Sequence, residues 1–289
     1  MVTNDRRVDL PDITLSSIAP QRIRPMLSVR RVALVWPGLL AIAALWPIWA
    51  WYLQRLDDGN GEPWGLVSIM TALLLLGLRA PQTRREASRL TAPVCGLIIY
   101  IATFNIFPPL LRAGLAFSVQ AMLASSYRGG RGFDIGIWGL FMLALPVVAS
   151  FQFAFAYPMR VMIGWFAVPL IELTGFMVTQ QGTLLMWGAR QVVIDAPCSG
   201  IHMLWAGAYL AFCAMCVCEL GLRASISLLL VTVAAIVAAN ILRVGSLFFL
   251  ETDIVTAPAF THDATGVASF MLAAGIIMFF AVRLLRLRQ

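Results

Sequence analysis

Apolar runs separated by short polar links recur along the chain from Val32 onward. They cover about Val32–Leu53, Pro63–Leu78, Thr91–Phe107, Leu110–Ser126, Asp134–Ala156, Ser199–Cys218, Ala224–Leu250 and Ala264–Leu285. Each meets or approaches the roughly 20 residues that carry a helix across a bilayer core. None alternates with period two, so membrane-spanning helices are expected rather than a barrel. The pattern therefore predicts an all-α integral membrane protein with about eight transmembrane helices.

Three stretches depart from it. Residues 1–31 are polar, with Pro11, Pro20, Pro25 and Arg6, Arg7, Arg22, Arg24, Arg30 and Arg31, and are expected to form a disordered cytoplasmic tail. Residues 32–289 then form one polytopic membrane domain. Tyr157–Gln181 is apolar but carries Arg160, Pro169 and Glu172 and stops at Thr179-Gln180-Gln181-Gly182. It is expected to lie on the membrane surface as an interfacial helix. Thr183–Ile194 alternates loosely, with Leu185, Trp187 and Val193 among polar or small residues, and predicts a short hairpin.

Composition agrees: 60% of residues are hydrophobic and the mean hydropathy is +0.85. The net charge of +7 comes from arginine alone, since the chain has no lysine. That removes Ser-Lys dyads, Schiff-base lysines and a P-loop lysine. The arginines also orient the bundle. With the N-terminus inside, the cytoplasmic segments hold sixteen of them, including the Arg79–Arg89 and Arg128–Arg131 links, Arg223 and Arg283–Arg288. The outer segments hold three, Arg55, Arg160 and Arg190. The split places both termini in the cytoplasm and Tyr157–Pro197 outside, and it explains the charge without nucleic acid.

With two histidines, His202 and His262, a His-rich metal site is not expected, and neither is a cofactor. Cys213-x-x-Cys216-x-Cys218 has metal-like spacing but lies in an apolar run without another ligand, so packing is the simpler reading.

This topology gathers three distant residues at one leaflet. Cys198 opens the sixth run at its outer end, and His262 precedes the eighth at the same end. Arg243 lies roughly 10 Å below the outer surface, seven residues before Leu250 at 1.5 Å each. Cys198 differs from the other cysteines in its polar surroundings, Asp195-Ala196-Pro197-Cys198-Ser199-Gly200. Asp195 is expected to cap the helix, Pro197 to sit in its first turn and the helix dipole to favour the thiolate. A guanidinium inside a span costs about 2.5–3.5 kcal/mol and is a functional candidate by default. Its structural alternative is pairing with Asn240, Glu251 or Asp253, or reaching up to the surface. His202, four residues after Cys198, is a rival base that could share its helix face.

Three blocks now stand in order: Cys198-Ser199-Gly200-Ile201, Asn240-Ile241-Leu242-Arg243-Val244 and His262-Asp263-Ala264-Thr265-Gly266. They resemble the CSG, N-x-x-R and H-x-x-x-G signatures of the exosortase/archaeosortase family, over about Trp187–Ile277, with the catalytic helices in 183–287. The resemblance implies a membrane cysteine protease or transpeptidase of a bacterial cytoplasmic membrane, with its site on the outer side. Its expected partners are exported proteins that end in a short motif such as PEP, a transmembrane helix and a basic cluster, together with membrane lipids. It implies Cys198 as nucleophile, with Arg243 and His262; Pro197 directly before the cysteine and the additional His202 depart from the family pattern, and Asn240, Ser199, Gly200, Asp195, His202 and Asp263 are candidate supporting residues. A transporter with Arg243 as an anion site and a non-catalytic scaffold are the alternative readings.

Overall fold

The computed structural model describes residues 41–57, 64–78, 91–127, 133–252, 254, 258 and 260–287. The expected tail of residues 1–31, the arginine-rich links and Asp253 lie outside the described residues. The chain divides into Met1–Trp36 and Pro37–Gln289, and all described residues belong to the second unit.

The described residues include nine α-helices: α1 Trp46–Asp57, α2 Trp64–Leu78, α3 Thr91–Ala102, α4 Pro109–Tyr127, α5 Ile135–Leu143, α6 Val148–Glu172, α7 Ile201–Val217, α8 Leu222–Glu251 and α9 Thr261–Arg286. The described part is thus mostly helical, with α6, α8 and α9 each long and apolar enough to cross a membrane. Helices α2, α3 and α7 are shorter apolar helices.

The expected single run Asp134–Ala156 is corrected. Asp134 caps α5 by accepting from the Ile137 amide at 3.2 Å, but α5 stops at Leu143. Pro146 has no N–H to give and biases Leu145 away from the helical region. The helix restarts at Val148 and continues through Tyr157 to Glu172.

The start expected for the interfacial helix, Tyr157, is corrected with it. Residues 157–172 are the continuation of a 25-residue helix, about 37 Å long at 1.5 Å per residue. Arg160, within α6, finds protein partners. Its Nη1 donates to the Ile194 carbonyl at 3.2 Å and its Nε to the Ala156 carbonyl at 3.3 Å.

The hairpin is present and gains a strand. Strands β1 Thr179–Gln181, β2 Leu184–Trp187 and β3 Arg190–Val193 form an antiparallel sheet in the order β1-β2-β3. Register runs from Leu184 opposite Val193 to Trp187 opposite Arg190. Each two-residue turn opens on a glycine of left-handed φ, Gly182 at +60° and Gly188 at +58°.

Two cores result. The larger joins α1–α5 to α7–α9 around Tyr52, Phe117, Phe141, Met215 and Ile236. The smaller packs Leu185, Val192 and Ile194 of the sheet region against Ile163, Ala167 and Ile171 of α6 and Val244, Leu247 and Phe248 of α8. Cys198 belongs to the smaller core.

Candidate active site

Cys198 lies in a short 3-10 turn, Ala196–Ser199, between β3 and α7. Its amide donates to the Asp195 carbonyl at 2.9 Å. Gly200 then takes φ +78°, and α7 starts only at Ile201. This corrects the expected start of the helix. Cys198 is not in the first turn of α7, and the Asp195 side chain makes no cap hydrogen bond. The glycine break also removes the helical i, i+4 relation between Cys198 and His202.

Cys198 is 2% exposed, so its thiol is buried. Burial pushes it above its ordinary value; the Arg243 charge opposes this, while Asp195 and Glu251 add to it. Burial thus works against the thiolate expected from a helix dipole.

The second sequence block meets the first through Asn240. This residue is fully buried on α8, and its Nδ2 donates to the Cys198 carbonyl at 2.8 Å. The contact requires glycine at position 200, because a β-carbon there would lie 2.8 Å from Asn240 Nδ2. Three residues on, Arg243 is 9% exposed and donates from Nη1 to the Pro197 carbonyl at 3.4 Å. The third block closes on the same guanidinium. A β-carbon on Gly266 would lie 3.2 Å from Arg243 Cζ, so glycine there lets α9 pass this close without displacing the guanidinium. Arg243 is thus held between the Cys198 turn and α9, and its buried Nε has no hydrogen-bond partner. Ser199 Oγ and Asn240 Oδ1, also buried, have none either. Native proteins leave few such groups, and here three belong to two of the blocks.

His262 stands in the first turn of α9, 39% exposed. Its Nε2 is 3.7 Å from Glu251 Oε1, and its Nδ1 is 3.8 Å from Asp263 Oδ1. No hydrogen bond joins its ring to Cys198 among the described contacts. His202 is engaged elsewhere, with Gln152 Nε2 of α6 at 3.3 Å from its ring nitrogens. Glu251 was legible in sequence only as a possible structural partner of Arg243. The signal for more was its spacing: Asn240, Arg243, Leu247 and Glu251 recur every three or four residues and share one face of α8.

A buried thiol beside a buried cation, with an exposed imidazole at the rim, suits acyl transfer through a thioester. The family model described as "Transmembrane exosortase (Exosortase_EpsH)" matches residues 32–279. No curated protein and no solved structure matches the chain.

Proposed function

The chain belongs to the transmembrane exosortase family, and from that premise we propose that it is a cysteine transpeptidase acting on C-terminal sorting signals of exported proteins. Cys198 Sγ attacks the carbonyl of the scissile peptide bond, giving a tetrahedral intermediate and then a thioester. His262 takes the thiol proton and returns it to the leaving amine as the C–N bond breaks. Arg243 donates to the developing oxyanion, where a dry site makes a fixed donor count for more than in water. An amine acceptor, or water, then releases the acyl group.

The observation that carries this reading is the closure of the three blocks on one another. Asn240 ties the Cys198 carbonyl to α8, and Gly266 leaves room for Arg243 beside the same turn. The raised thiol supports the need for a base. The cost of placing Arg243 in a span gives it a reason to be there that packing alone would not.

The arginine distribution supports eight crossings, both termini inside, and a site at the outer face of a bacterial cytoplasmic membrane. The kinked pair α5–α6 serves as one crossing on this reading, which leaves the sheet and Cys198 outside.

The test is processing of a co-expressed exported protein carrying such a signal. Cys198→Ala is expected to abolish it while the membrane protein accumulates normally. Processing that survives Cys198→Ala sinks the nucleophile assignment. Mass spectrometry of the new substrate C-terminus separates the two fates of the thioester, an added group for transfer and a free carboxylate for hydrolysis.

A further inference from the structure

The face of α8 that carries Asn240 and Arg243 ends in Glu251, two turns beyond the arginine. Its Oε1 lies 3.7 Å from His262 Nε2, a contact between the last residue of one long helix and the first turn of the next. The same carboxylate acts electrostatically on Cys198 and Asp195. His262 and Cys198 therefore share a neighbour on α8, the helix that carries Arg243 and already holds the Cys198 turn.

We propose that Glu251 is a positioning residue, whose carboxylate holds the His262 ring and selects the tautomer that leaves Nδ1 free to take the Cys198 proton. The inference rests on reading Cys198 as nucleophile and His262 as base. In the neutral ring, Nε2–H points to Glu251 and the Nδ1 lone pair is the acceptor. The S–H bond breaks, the proton moves to Nδ1 and the sulfur keeps the electron pair for attack. The imidazolium then gives that proton to the leaving nitrogen. Glu251 stays ionised throughout and takes no proton, as an orienting carboxylate does in acyl-transfer triads.

Asp263 is the rival partner, 3.8 Å from the other ring nitrogen. Two features favour Glu251. The Asp263 side chain is 95% exposed, whereas that of Glu251 is 34% exposed, so water screens the glutamate less. Asp263 also neighbours His262 on α9 and cannot fix the ring relative to Arg243. Glu251 shares α8 with Arg243, so one rigid element sets both.

The experiment measures kcat and KM of the membrane-embedded full chain on a processed exported substrate. It compares Glu251→Gln, Glu251→Asp, His262→Gln and the double variant. Glu251→Gln is expected to lower kcat by about tenfold or more, up to the roughly 10²–10⁴ that a general base supplies, with KM within about twofold. Glu251→Asp, still a carboxylate, recovers part of the loss. In the His262→Gln background the Glu251→Gln change is expected to cost less than about twofold, because the two residues act as one unit. An equal loss in both backgrounds, a change in KM alone, or wild-type kcat in Glu251→Gln overturns the proposal. Wild-type kcat in His262→Gln instead overturns the base reading beneath it. If Glu251→Gln fails to accumulate, Glu251→Asp in the two backgrounds carries the same comparison.

Discussion

Gly266→Ala separates the site from the fold. Gly266 lies in the body of α9, with no left-handed backbone to protect, so alanine there should stabilise the helix by about 0.5–1 kcal/mol. Its β-carbon, however, would meet Arg243 Cζ at 3.2 Å and Nε and Nη2 at 3.3 Å. Those separations are tighter than ordinary contact, so the guanidinium must yield by a few tenths of an ångström. A misplacement of about 1 Å near the chemistry can cost on the order of 100-fold. The smaller shift is expected to cost roughly threefold to tenfold in kcat. Gly266→Leu cannot be absorbed this way. It should displace Arg243 from the Pro197 carbonyl and approach the 10²–10³ loss typical of a missing oxyanion donor. The assay is initial rate on a peptide or exported substrate, alongside thermal unfolding of the detergent-solubilised chain. Unchanged kcat in both variants, with intact protein, would refute a role for Arg243 at the reacting centre. A parallel fall in stability and rate would also refute the argument, since it assigns the two effects opposite signs.

Other outcomes follow from the same geometry. Alkylation of Cys198 by iodoacetamide should begin at higher pH than for an ordinary thiol, because burial disfavours the thiolate. Arg243→Gln should move that onset higher still, because it removes the one charge that opposes burial; an onset that falls would contradict the stated balance. His262→Ala should be nearly inactive and His202→Ala nearly normal, since the His202 ring contacts Gln152; the reverse ranking in a processing assay would move the base to His202. In a chain without native cysteines, Ala189→Cys in the β2–β3 turn should react with an impermeant maleimide on intact cells. Leu287→Cys should react only after lysis, and labelling of both from one side would break the eight-crossing arrangement.

Much of the candidate site was readable along the chain, because its parts are rare for a membrane interior. A cysteine among Asp195, Pro197 and Gly200, an arginine in a span and a histidine at a helix start each break a pattern that hydrophobicity otherwise sets. The helices α2, α4, α8 and α9 were legible for the same reason, as apolar runs have few alternatives in lipid. Reading failed where a local signal had two tertiary solutions. Pro146, not the polar residues after Tyr157, broke the run, and the hydrogen bond from Arg160 to the Ile194 carbonyl could not be foreseen from either segment alone. Asp195 looked like a helix cap, but Gly200 turned the chain before the helix could start. The link between blocks could not be read at all. That Gly200 admits Asn240, that Gly266 admits Arg243 and that Glu251 meets His262 are contacts between helices distant in sequence. Periodicity tells which face a residue occupies; only packing decides which face of another helix it meets.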